Sequence, residues 1–341
     1  MHRATNRVAA TPPRFTPKPP NDFPLVHYAM LDQPLHYLNP HTLTEWENAP
    51  HPKLLMQIFS FNGDPTSGRL PVQLGLARFH ITSILESLAD NQVHILPPTA
   101  LPNASNPAPA PRSFLVHGMS LPHYERLLRH RIWSFQDITL HFMEFPINPK
   151  PLHVVSFTTL SPLPIQTILL ATKTAWTDPL TTNRLAEILN EANHDTPTLQ
   201  LLDVFLSSVT VEKFMHDPAV ISTADATNRT TLYSITAADP FNNPTLWKKI
   251  RHLLQSIEYR NLVPTLAAKI TKLGCPLCHG ATHTAPTCPF PSTPLWYGPV
   301  HRTPKPASTV LNLGEYELDQ ALKRNLQWEL DILHEIESIY A

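Results

Sequence analysis

Cys275, Cys278 and Cys288 are the chain's three cysteines, and all fall in the segment CPLCHGATHTAPTC. With His283 they read C-x2-C-x4-H-x4-C. Two thiolates two residues apart bind one ion from a single tight turn, and a later imidazole and thiolate close a tetrahedral shell. Three soft sulfurs and one imidazole select Zn2+, and four protein ligands leave no coordination position for water. That donor set argues for a structural ion and against a catalytic one. An odd, clustered cysteine set is also a poor disulfide framework. His279 is the competing imidazole, but ligation directly beside Cys278 would cramp the loop, so the expected ligands are Cys275, Cys278, His283 and Cys288.

This spacing resembles the CCHC zinc knuckle of retroviral and retrotransposon nucleocapsid proteins at all four ligands. The resemblance implies a small metal-folded module that binds single-stranded RNA or DNA. Family knuckles usually carry an aromatic residue after the first Cys and Gly before the His, where this chain has Pro276 and Thr282. Over roughly residues 45–300 the chain also looks like gag-like proteins encoded by retroelements of basidiomycete fungi. That likeness rests on a hydrophobic strand and helix leading to Trp133-Ser134, on Trp247 opening a helix, and on Cys288-Pro289-Phe290-Pro291 followed by Trp296. Such proteins often end in an Arg/Gly-rich tail, which this sequence lacks.

Around the knuckle, other residues suit nucleic-acid contact. Phe290, Trp296 and Tyr297 offer faces on which unpaired bases stack, or pack a proline-rich strap against the knuckle. Between Thr245 and Lys305 there are eight cations and one acid, Glu258, whereas the whole chain has a net charge of -1. Lys248, Lys249, Arg251, Lys269 and Lys272 are the candidate phosphate contacts, and binding through them weakens with salt. For the three on one helix the plainer reading is a solvated face.

The elements that must position these residues follow from composition and periodicity. The chain has 341 residues, of which 38 are proline and 8 glycine. So little glycine argues against phosphate-cradling loops, and neither GxGxxG nor GxxxxGK[ST] occurs. Residues 1–24 read as a disordered proline-rich leader without the apolar core of a secretion signal. Residues 25–96 read as a small α+β domain, with a buried strand Leu54–Phe61, a turn at Asn62–Pro65 and a helix Val72–Leu88. Residues 97–111 are a proline-rich linker. Residues 112–262 then alternate as strand 114–117, helix 121–130, strand 138–145, strand 153–157, helix 164–193 and strand 204–214. That order, βαββαβ, is the ferredoxin-like arrangement of RNA-recognition (RRM-like) modules, although no RNP1 motif is present. Phe157 is the sole aromatic on the strand where that motif would stand, so a structural or self-association domain is the better reading of it. A strand at 231–235 and a helix at 244–257 follow, with Trp247, Ile250, Leu254 and Ile257 as the helix's buried stripe.

The knuckle spans 270–292, a second proline-rich linker 293–313, and an acidic amphipathic helix 314–341. Leu322, Leu326, Leu330, Leu333, Ile336 and Tyr340 form the apolar stripe of that last helix. It suits docking on the body, pairing with another copy, covering the basic region, or recruiting a partner.

Enzyme motifs are missing. There is no HExxH, GxSxG or DTG, and every cysteine is committed to the metal site. The sequence therefore predicts an intracellular α+β protein, nuclear or cytoplasmic, that binds Zn2+ and single-stranded nucleic acid without catalysis. The second reading is a protein-interaction adaptor with a structural knuckle and a partner-binding C-terminal helix. A decayed retroelement product fits the same residues.

Overall fold

The computed structural model describes residues 14–62, 68–85, 93–101, 110–147, 151–191, 196–214, 231–259, 262–263 and 265–301. They belong to one compact unit, Met1–His301. The acidic helix expected at 314–341 and most of the turn at Asn62–Pro65 lie outside the described residues, as do much of the leader and of the first linker. Among the described residues no helix is long and apolar enough to cross a membrane.

Helix α1 (Pro40–Asn48) opens the first half, with Asn39 accepting the amide of His41 as its N-cap. Strand β1 (Lys53–Ile58) follows and is buried along its whole length. Helix α2 (Leu70–Leu85) leads to β2 (His94–Leu96), then come β3 (Ser113–His117), α3 (Leu121–His130), β4 (Ile132–Ser134) and β5 (Thr139–Glu144). All pairings are antiparallel, in the order β2-β3-β1-β5-β4. Successive side chains on a strand point to opposite faces. Leu54, Met56 and Ile58 pack on Ala77, Ile81, Ile84 and Leu85 of α2, while Leu55 packs with Leu38, Trp46, Leu115 and Phe145 on the other side. Burial on both faces explains why β1 reads as a nearly continuous apolar run.

The second half repeats the path. It comprises β6 (Leu152–Thr159), α4 (Ile165–Trp176), α5 (Pro179–Asn190), α6 (Thr198–Ser207), β7 (Thr210–Phe214), β8 (Thr231–Ala237), α7 (Pro244–Ser256) and β9 (Leu266–Ile270). The sheet order is β7-β8-β6-β9, again antiparallel throughout. Apart from the extra strand β4 in the first half and three successive helices in place of one in the second, both halves follow β-α-β-β-α-β, and in both the third and fourth of those strands flank the first. Val155, Phe157, Tyr233 and Ile235 belong to the core that holds Ile168, Trp176, Trp247, Ile250 and Leu254. The opposite face presents Ser156 and Ser234, a directly opposed pair whose hydroxyls hydrogen-bond at 2.7 Å.

The structure redistributes the strands expected of a single ferredoxin-like body at 112–262. Those at 114–117 and 138–145 flank β1, so strands from both sides of the 97–111 linker share one sheet. The one at 153–157 opens the second sheet. Residues 198–207 are helical, because Leu202 and Phe205 bury at helical spacing after Pro197, and only 210–214 form a strand. The helix expected at 164–193 is broken at Asp178-Pro179, where proline lacks the amide to continue α4 and instead starts α5. Within residues 14–24, read as leader, Thr16 and Phe23 anchor the chain to the body: the Thr16 amide donates to Ser134 O and both residues are buried.

Candidate metal centre

Strand β9 delivers the chain to the knuckle, and local hydrogen bonds shape it. The Cys275 amide donates to Gly280 O at 2.8 Å and the His279 amide to Cys275 O at 2.8 Å, closing the turn that carries the first two thiols. His279 takes the left-handed conformation there, with φ 65°. A short 3-10 turn at Ala285–Thr287 then returns Cys288 to the first pair.

One ligand atom from each of Cys275, Cys278, His283 and Cys288 lies within 4.8 Å of all the others. These four residues can hold a metal ion, and the donor set suits zinc. The site is enclosed: Cys278 is 0% and His283 1% exposed. His283 Nε2 lies 3.3 Å from Cys278 Sγ, while its Nδ1 is 3.0 Å from the Thr282 hydroxyl. A second partner on the outer nitrogen is how an imidazole ligand is held in orientation.

Three buried thiols cannot all ionise without a cation. Hydrogen bonds from Cys278 and Cys288 hold Cys275 far below the usual thiol range. The same hydrogen bond with Cys275 pushes Cys278 well up, and Cys288 up to about 12. A divalent ion removes this conflict by stabilising all three thiolates at once. His279 takes no part in the cluster. Its Nε2–H donates to Ile58 O at 3.0 Å, its Nδ1 faces Arg112 Nη1 at 3.3 Å, and burial lowers its pKa to about 4.

The knuckle is wedged into the body. The Ser60 amide donates to Leu277 O at 2.8 Å and the Ala281 amide to His27 O at 2.7 Å. From the second sheet, Ser234 Oγ donates to Thr282 O, and Phe214 packs on the His283 ring with centroids 5.0 Å apart.

The expected nucleic-acid residues scatter among several environments. Phe290 is 0% exposed, held between Phe59 and Trp296, and presents no face to solvent. Trp296 and Tyr297 are partly exposed; the Trp296 indole donates to Pro299 O and the Tyr297 amide to Thr16 Oγ1. Next to them Gly298 is packed so closely that a Cβ would come within 2.4 Å of Trp296 and 2.5 Å of Thr139. Arg251 donates to His153 O and Thr271 O, and Lys269 to Ile257 O, so both help hold α7 and its neighbouring strands together. Lys249 is exposed and ion-paired with Glu191. Lys248 and Lys272 are exposed. Sequence reasoning missed the residues that surround the knuckle: Ile58–Ser60, Arg112, Phe214 and Ser234 lie far from it in sequence. Thr282, next to the ligand His283, was the one signal within reach.

No family model matches the chain, and no curated protein or solved structure matches it. The likeness to CCHC knuckles therefore rests on the four ligands and the geometry that gathers them.

Proposed function

We propose that this chain is a non-enzymatic, zinc-dependent single-stranded nucleic-acid-binding protein of the gag/nucleocapsid type. The observation that carries the reading is the gathered CCHC centre, whose donor set and spacing belong to zinc knuckles. Two further features support it. In each half the third and fourth strands of the β-α-β-β-α-β path flank the first, an order compatible with RNA-recognition modules, and exposed Lys248 and Lys272 precede the first ligand in sequence.

Contact with nucleic acid runs over the cationic exterior in this reading. The strand faces that an RRM uses are closed, since β1 and β8 are buried along their whole length. Zinc then acts by holding the body in shape, and the exposed lysines meet phosphate. Titrating a labelled single-stranded RNA at two salt concentrations, with and without a strong chelator, tests this. Salt-sensitive binding that chelation abolishes is expected. The adaptor reading is favoured by one observation, the burial of Phe290 and all four ligands. Zinc-loaded protein that binds no RNA at low salt would decide for it.

A further inference from the structure

Between Leu277 and His283 the knuckle changes partners. Its first residues face the first half. Leu277 O accepts the amide of Ser60, His279 reaches Ile58 O at the end of β1, and Arg112, just before β3, meets the other nitrogen of that imidazole. Its next residues face the second half. Thr282 O accepts the Ser234 hydroxyl of β8, and the His283 ring lies on Phe214 of β7. Beyond Cys288, Phe290 returns to Phe59 of the first half, with ring centroids 5.0 Å apart. Ligands Cys278 and His283 thus sit at the points where the loop passes from one sheet to the other.

The helix-side core of the first half does not include this loop. The cluster of Leu54, Met56, Ile81, Phe114, Leu140 and Phe142 contains no knuckle residue. In the second half the buried cluster that holds Phe157 and Tyr233 also takes in Cys275, Cys278, Cys288 and Phe290, and the loop meets the sheet on the face of Ser156 and Ser234. The loop's contacts to both sheets depend on its shape, and four metal bonds would fix that shape.

We infer that the metal in this site is a clasp: its occupancy fastens the knuckle loop across the seam between the two halves, and its loss opens that seam while each half keeps its own sheet. The inference rests on zinc filling the CCHC site. It predicts metal-dependent exposure of one particular seam of the molecule, with the Ser60 and Ala281 amides as reporters.

Hydrogen exchange on the full-length protein tests this, after zinc content has been measured on the purified chain. Chelation is expected to speed exchange at the Ser60 and Ala281 amides by about tenfold or more, while amides within β1 and β6 stay protected. Unchanged exchange at Ser60 would overturn the clasp. Loss of protection throughout β1 and β6 would overturn it too, because the metal would then be folding the whole body. A chain that purifies without zinc and takes up none would overturn the site reading itself, a different failure from zinc that binds and leaves the seam closed. His279→Ala removes a seam contact without removing a ligand. It should keep its zinc and loosen Ser60; retained zinc with Ser60 fully protected would count against the clasp.

Discussion

The two sheets share a strand order and differ in what closes their second face. The first is closed by its own N-terminal segment. Leu38 and Trp46 pack on Leu55 and Leu115, and the Tyr28 hydroxyl donates to Gln57. Beside them the Lys53 ammonium, 3% exposed, donates to Trp46 O, Glu47 O and Ala49 O, capping the end of α1. The second is a polar face of Ser156 and Ser234, met by the knuckle loop. Apolar closure draws its stability from area removed from water and needs no cofactor. On the second sheet the loop's hold draws on hydrogen bonds whose geometry depends on the loop's shape. On the clasp reading, the first face is closed without the metal, whereas the loop's hold on the second depends on it.

The largest test of that contrast is Cys278→Ser. Losing a buried ligand should abolish tight zinc binding and speed exchange at the Ser60 and Ala281 amides by about tenfold or more, while β1 and β6 both keep their protection. Exchange read in each sheet decides it; loss of protection throughout β1 and β6 would contradict the clasp. Next, Lys53→Met strikes the first half alone. Three carbonyls lose a charged donor, for an expected cost of about 2–3 kcal/mol with zinc content unchanged. Equal zinc loss in this variant would show that the halves are not separable.

Acid sharpens the comparison. Burial lowers His141 in the first sheet to about 3, and His153 in the second to about 3. A base whose folded pKa is depressed contributes stability above its unfolded value of 6.5, and that stability is lost as pH falls towards the folded pKa. Between pH 7 and pH 5 each should cost about 2 kcal/mol. His141→Phe should shrink the acid sensitivity of the first half by that amount, as read from urea midpoints at the two pH values. An unchanged pH slope would count against a neutral buried His141. The smallest effect belongs to Lys249→Ala, which breaks an exposed ion pair with Glu191 and should shift stability by less than about 0.5 kcal/mol. A larger shift would mean that this pair does more than decorate the surface.

Much of the local structure was legible. The apolar run at 54–61 contains most of β1, the helices at 121–130 and 244–257 match α3 and α7 closely, and Trp247, Ile250 and Leu254 are buried as their spacing required. Pairing across the 97–111 linker was not legible, because β1 finds both its neighbours more than fifty residues downstream and periodicity carries no information on partners. Strand β9 was hidden for a related reason. Its residues Leu266–Ile270 alternate weakly and owe their conformation to pairing with β6. The four ligands were spelled out within fourteen residues. Their burial was not, since the groups that cover them come from both sheets.

The most direct measurement is X-ray absorption at the zinc edge, combined with metal analysis of the full-length protein. The account predicts one zinc per chain with three sulfur neighbours at about 2.3 Å and one nitrogen at about 2.0 Å. A chain without zinc, or a zinc shell dominated by oxygen, would contradict it.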